Sequence, residues 1–122
     1  MRIHPVNLNG KTYLVTFSAR VMLALEERGD DAGTELDRIL TEGKLSDMFW
    51  LLSQMLDAGR RYAMSEELGD IPDPISLDQL LDTTDLADYQ SLSAQVTQVI
   101  KADSTPSVES SPAKNAEATP DV

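Results

Sequence analysis

Residues 46–63, SDMFWLLSQMLDAGRRYA, decide how the rest of the chain can fold, for they hold the only Trp and one of the two Phe residues. At about 100° of turn per residue, Leu51, Tyr62, Met55, Met48, Gly59, Leu52, Ala63, Leu56 and Phe49 form one continuous arc covering a little under half of a helix. That arc is the expected floor of the core. The opposite side carries Ser53, Gln54, Asp57, Arg60 and Arg61, with Trp50 out of place among them. A large aromatic on a polar face is either covered by the N-terminal segment of the same chain or kept for another molecule.

Toward the N-terminus, residues 2–8 and 12–17 flank Asn9-Gly10, a two-residue loop that favours the type I′ turn joining twisted antiparallel strands. Val6 then faces Tyr13 and His4 faces Val15, so that His4, Val6, Tyr13, Val15 and Phe17 share one side. Two strands do not hold together alone in water, so this face must lie on helices or on another subunit. Pro5 has no N–H to give to a ladder, which marks the first strand as an edge. Ser18 is the expected N-cap of a helix to about Arg28, with Gly29 after it. Val21, Met22 and Leu25 are its inward stripe, and Leu23 points away from them. Residues 29–33 read as a loop. Thr34 with Asp37 resembles a capping box for a short helix with Leu36, Ile39 and Leu40 on one face; Gly43 ends it and Ser46 caps the central helix.

Toward the C-terminus, residues 65–68 can add a helical turn, and residues 69–74, GDIPDP, read as a rigid extended connection. Ser76 with Gln79 is a second capping box, leading a short helix through Leu77, Leu80 and Leu81. The last helix is expected from about Asp85 to Lys101. Tyr89, Leu92, Val96 and Val99 alternate steps of three and four along it, with Leu86 and Ile100 beside the seam. So narrow a seam fits one neighbour, either the central helix or a second chain. Residues 102–122 contain three prolines and no Leu, Ile, Met or aromatic residue. They cannot bury enough apolar area to offset roughly 1 to 2 kcal/mol of backbone entropy per residue, and are expected to be disordered. The fold class that results is mainly α: an N-terminal β-hairpin packed on a bundle of about four to five helices over residues 1–101, then a disordered acidic segment over 102–122.

Composition removes several classes of function. With 10 basic against 21 acidic residues the formal net charge is −11, which repels phosphate backbones and anionic membranes. An acidic surface that mimics DNA is the sharper alternative to a plain acidic protein. Absence of cysteine excludes disulfides, thiol catalysis and thiolate metal sites together. No apolar run reaches signal-peptide or membrane-span length, so a cytoplasmic chain without membrane contact is expected. The sole histidine, His4, has no second histidine or cysteine to complete a metal set. Asp70, Asp73, Asp78, Asp82, Asp85 and Asp88 do not follow calcium-loop spacing and are interrupted by two prolines. No serine lies in a nucleophile elbow, and Gly10, Gly29 and Gly33 form no phosphate-cradling pattern. No carboxylate pair is marked as buried or coupled, so no enzyme, cofactor or metal is expected. What remains is recognition of another protein, through Leu23, Trp50 and the seam Tyr89, Leu92, Val96 and Val99.

Residues 10–20, GKTYLVTFSAR, followed by residues 24–29, ALEERG, carry a further likeness. This opening resembles that of siphophage tail assembly chaperones and the related gene-transfer-agent tail proteins. Those begin with a hairpin of the form G-K-x-Y-x-[LV]-x-F and then a helix ending in L-E-E-R-G or similar. A short helix, a glycine and a long apolar helix follow in the same order here, so the likeness covers about residues 6–63 and extends to the C-terminal third only in general character. It implies a non-catalytic, homo-oligomeric protein of phage or prophage tail morphogenesis that wraps the tape measure protein until tail-tube subunits polymerise, and that is absent from the mature virion. In that family a programmed frameshift often adds a second domain that recruits the tail-tube protein. Ala113-Lys114-Asn115 is a tripeptide that the slippery run A AAA AAC can encode. Two rival readings are a structural tail component kept in the virion, as a tail-tube or tail-completion protein, and an acidic DNA-mimic inhibitor.

Overall fold

A computed structural model describes residues 3–8 and 10–104. The expectation of disorder from residue 102 is corrected at its start, since residues 102–104 continue the last helix; the rest of that segment, and the frameshift expected at Ala113-Lys114-Asn115, fall on residues outside the described range. Two strands, β1 (His4–Leu8) and β2 (Lys11–Val15), are followed by five helices: α1 (Ala19–Arg28), α2 (Ala32–Glu42), α3 (Leu45–Ser65), α4 (Leu77–Thr83) and α5 (Leu86–Ser104). The chain is therefore mainly helical with an N-terminal hairpin, as its patterning predicts. The strands pair antiparallel with His4 opposite Val15 and Val6 opposite Tyr13, the register that a two-residue Asn9-Gly10 loop dictates. Gly10 has φ +76°, a conformation the primed turn requires and side chains resist.

The hairpin rests on two helices. Val6, Leu8 and Val15 are buried on it, and its β2 edge meets α3 so closely that a Cβ at position 59 would collide with the backbone carbonyl oxygen of Leu14. A Cβ at position 59 would also stand 2.6 Å from the carbonyl carbon of Leu14 and 2.8 Å from Cα of Val15. Thr16 N–H donates to the Met55 carbonyl, fixing where the strand leaves the sheet. Along β1 lies α5, which is tied to it by side chains from the far end of the sequence. Asn7 N–H donates to Gln95 Oε1 at 3.1 Å, while Asp103 meets His4 Nε2 at 2.9 Å and accepts from Phe17 N–H at 3.3 Å.

Every member of the arc on α3 is buried except Tyr62, which is half-buried; Ala58 and Asp47 join it. One core holds Met48, Phe49, Leu51, Leu52, Met55 and Leu56 of this arc together with Val21, Leu25, Ile39, Leu80, Leu92, Val96, Val99 and Ile100. At roughly 1.5–3 kcal/mol for each large apolar side chain withdrawn from water, this cluster is the main stabilising contribution. Leu92, Val96 and Val99 are 2%, 2% and 6% exposed, so these three positions of the α5 seam are covered by their own chain. Of the two neighbours expected for the seam, the chain's own core is the one that covers them, and as partner-binding residues they have no exposed surface here.

Helix ends depart from expectation where a stronger cap was present nearby. Asp31, not Thr34, caps α2: its Oδ1 accepts from Thr34 N–H and its Oδ2 from Thr34 Oγ1, both at 2.9 Å. Ala32 and Gly33 are thereby drawn into the first turn. The cap residue of α3 is Lys44, not Ser46, because Gly43 in the left-handed region (φ +63°) turns the chain within two residues. The capping box of Ser76 and Gln79 is present in both halves. At its C-terminus α3 closes with Leu68 N–H on the Ala63 carbonyl and Glu67 N–H on that of Met64, which places Glu67 at φ +52°. That is the helix-ending motif usually given to glycine. Met22, expected to face inward, is exposed, because a helix of ten residues buries only a strip, Val21 with Leu25; in the seven-residue α4, Leu80 is buried, Leu77 half-buried and Leu81 exposed.

Candidate functional site

Two features stand out from the surface and the core. The first is ionic. Asp47, in the first turn of α3, accepts from Arg28 Nη2 at 2.8 Å and Arg38 Nη1 at 3.2 Å. Glu35 of α2 receives Arg38 in a two-pronged contact, Nε to Oε1 at 3.0 Å and Nη2 to Oε2 at 2.7 Å. Both carboxylates are buried, with their side chains 8% exposed. The sequence marks no carboxylate pair as buried, and packing of the helices buries this one. No motif announced this cluster, since its members lie on three helices and meet only when α1, α2 and α3 pack.

Hydrogen bonding from Arg38 holds the Glu35 carboxyl below the ordinary glutamate range, against the opposing effect of burial. Arg28 does the same for Asp47, with Arg38 adding to it. Carboxylates held ionised and saturated by guanidinium donors make poor general bases at neutral pH. Their role is to lock three helices together. Arg28 also lies over Trp50, with its guanidinium carbon 4.3 Å from the ring centroid. The out-of-place Trp50 is therefore half-buried beneath an N-terminal helix of its own chain. Gly29 belongs to the same lock, because a Cβ there would stand 2.9 Å from Glu35 Oε1.

The second feature is apolar and open. Where the N-terminus of α3 meets the junction of α4 and α5, a groove is lined by Leu45, Ser46, Phe49, Leu81, Thr84, Asp85, Leu86 and Tyr89. Its floor is the stacked pair Phe49 and Tyr89, with ring centroids 5.4 Å apart. On its walls Leu45, Leu81 and Leu86 are 58%, 50% and 72% exposed, three large apolar side chains gathered at one place on an acidic body. Such a gathering, unlike a single exposed leucine, is a candidate contact surface. From Tyr62 to Ile100 the chain has eight acidic residues and no Lys, Arg or His, so the groove lies in a strongly negative part of the sequence.

Of the residues expected from sequence to bind a partner, only Tyr89 is in this groove. Leu23 is 57% exposed but lies on α1, beside Met22. Trp50 is in the ionic lock, and His4 is held by Asp103. Sequence reasoning missed Leu45, Leu81 and Leu86. The available signal was local: of the adjacent Leu80 and Leu81 in so short a helix only one can face the core, and Leu86 sits off the line of the α5 seam.

Among the described residues no group of three His, Cys, Asp or Glu side chains is arranged to hold a metal ion, and no helix is long and apolar enough to cross a membrane. No protein-family model matches the chain, and no curated protein or solved structure matches it.

Proposed function

We propose that this chain is a non-catalytic assembly chaperone of a siphophage or prophage tail. It self-associates, holds the apolar, helical tape measure protein during tail morphogenesis, and is released before the virion is complete. The host cytoplasm is its place of action, and a longer frameshifted form is the proposed recruiter of tail-tube protein.

The observation that carries this reading is the leucine groove on a highly charged body. A long helical client with exposed apolar side chains needs a partner that offers apolar contact and keeps the assembly apart from its neighbours. Leu45, Leu81 and Leu86 over Phe49 and Tyr89 supply the first, and a net charge of −11 supplies the second. The hairpin followed by a helix over residues 4–28 accords with the family likeness in the same segment.

Co-expression with the tape measure protein of the same operon tests the proposal. The client should stay in solution with the wild-type chain and precipitate with a variant carrying Leu81→Asp and Leu86→Asp, whose helical spectrum is unchanged. Mass spectrometry of purified particles should find the tape measure protein without this chain. Stoichiometric presence in the particle would replace the reading with a structural tail component.

A further inference from the structure

The outward face of α1 is a second apolar surface, far simpler than the groove and self-complementary in charge. At about 100° per residue, Val21 and Leu25 lie on either side of the helix line opposite Leu23. They are fully buried, which places Leu23 at the outward apex, 57% exposed. Arg20, three residues before it, and Glu27, four after it, project from the same flank about 20° apart. Along the axis they stand roughly 4.5 Å and 6 Å from Leu23 in opposite directions. Both are exposed, and neither has an ion pair or hydrogen bond among the described residues. On the other flank lie Ala19 and, about 20° from it, the exposed Glu26, which a two-fold through Leu23 sets against the small Ala19 of the other copy.

We infer that α1 pairs with α1 of a second copy, antiparallel about a two-fold axis beside Leu23, with Arg20 of each copy against Glu27 of the other. The operation that sets Leu23 on Leu23 reverses positions along the axis while keeping each flank on its own side. It therefore brings a residue three before the centre to one four after it. A single helix face produces two opposite-charge contacts in this way, which is the signature of an isologous interface. A ten-residue helix is about 15 Å long and buries less than the roughly 1,200 Å² of a standard interface, so the pair is weak and concentration-dependent. The two copies also repel through their net charge, and salt near 0.15 M, with a Debye length of about 8 Å, screens that long-range term.

This surface gives a place to the self-association in the reading above, but its test needs no client, and the α4–α5 groove can fail or succeed separately. Sedimentation equilibrium at that salt, in a series reaching about 1 mM chain, should show a monomer–dimer equilibrium for the wild type. Arg20→Glu alone and Glu27→Arg alone should each remain monomeric, since each sets like charges against one another. Mixed in equal amounts, the two variants should associate at least as well as the wild type, because every contact in the mixed pair is again opposite in sign. Leu23→Asp should abolish association in all combinations. Circular dichroism reports whether each variant keeps its helices, as exposed positions should. A wild type monomeric throughout, single variants that associate undiminished, or folded variants that do not recover on mixing would each overturn the pairing.

Discussion

At the scale of single residues, four positions carry the tightest constraints, and each has a measurable sign. Gly59→Ala forces a methyl group into the backbone of Leu14 and Val15, which cannot give as a flexible side chain would. Urea unfolding should show a loss on the order of 3 kcal/mol. Glu67 has the opposite character: it occupies a left-handed conformation (φ +52°) that costs an L side chain about 1 kcal/mol. Glu67→Gly should therefore raise stability by up to about that amount, even though glycine is the residue that usually weakens a chain. Asp47 and Glu35 give a pH dependence. Their folded carboxyl pKa values lie below the unfolded ones, so their contribution is complete above the unfolded values, near pH 4, and is lost as pH falls through the folded values. The urea midpoint should hold steady from about pH 7 to 5 and fall below about pH 4. In Asp47→Asn the low-pH fall should be shallower, starting from a lower midpoint at pH 7, which separates this cluster from the other carboxylates of the chain.

At the scale of elements, the caps explain most of what was and was not legible in the sequence. Wherever the periodic pattern ran long, as over the eighteen residues of SDMFWLLSQMLDAGRRYA, the buried face was readable in advance, because nine apolar positions on one arc leave no other solution. The hairpin register was equally fixed, by a two-residue loop that admits only one pairing. Short helices were less readable. In α4, seven residues long, the pattern cannot tell which of Leu80 and Leu81 faces inward, and that ambiguity is what hid the groove. In α2 two polar residues, Asp31 and Thr34, were both competent caps, and geometry chose the one whose carboxylate reaches a backbone N–H and a hydroxyl together. The ionic lock was illegible for a different reason: salt-bridge partners on three helices have no sequence spacing to recognise. For α4 the reciprocal Ser76 and Gln79 cap is the only regular stop on a long extended connection. Ser76→Ala should cost about 1 kcal/mol, and Gln79→Ala less, since it removes only the returning bond.

At the scale of the whole molecule, the two ends of the described chain hold one another, and this sets how the fold can come apart. Val6 and Val15 of the hairpin and Leu92, Val96 and Ile100 of α5 belong to one buried cluster. Polar links from Asn7 to Gln95 and from His4 to Asp103 close a loop of nearly the whole domain. A two-stranded hairpin has little stability of its own, so it should be protected only to the extent that α5 is in place. Leu92→Ala, at a fully buried position, should lower global stability by about 2–5 kcal/mol. Hydrogen exchange of the β1, β2 and α5 amides should then accelerate by a common factor, since all three open in one cooperative event. Leu86→Ala, six residues earlier on the same helix and 72% exposed, should leave both the unfolding midpoint and the exchange pattern unchanged while weakening the proposed client binding. Should the hairpin keep its protection in Leu92→Ala while α5 exchanges freely, α3 alone would be sufficient to hold it, through the contact at Gly59. That outcome would also turn α5 from a structural closure into a detachable arm. Its buried face, Val96 and Val99 included, would then become available to another chain, and the groove at its N-terminal end would be one part of a longer acceptor surface.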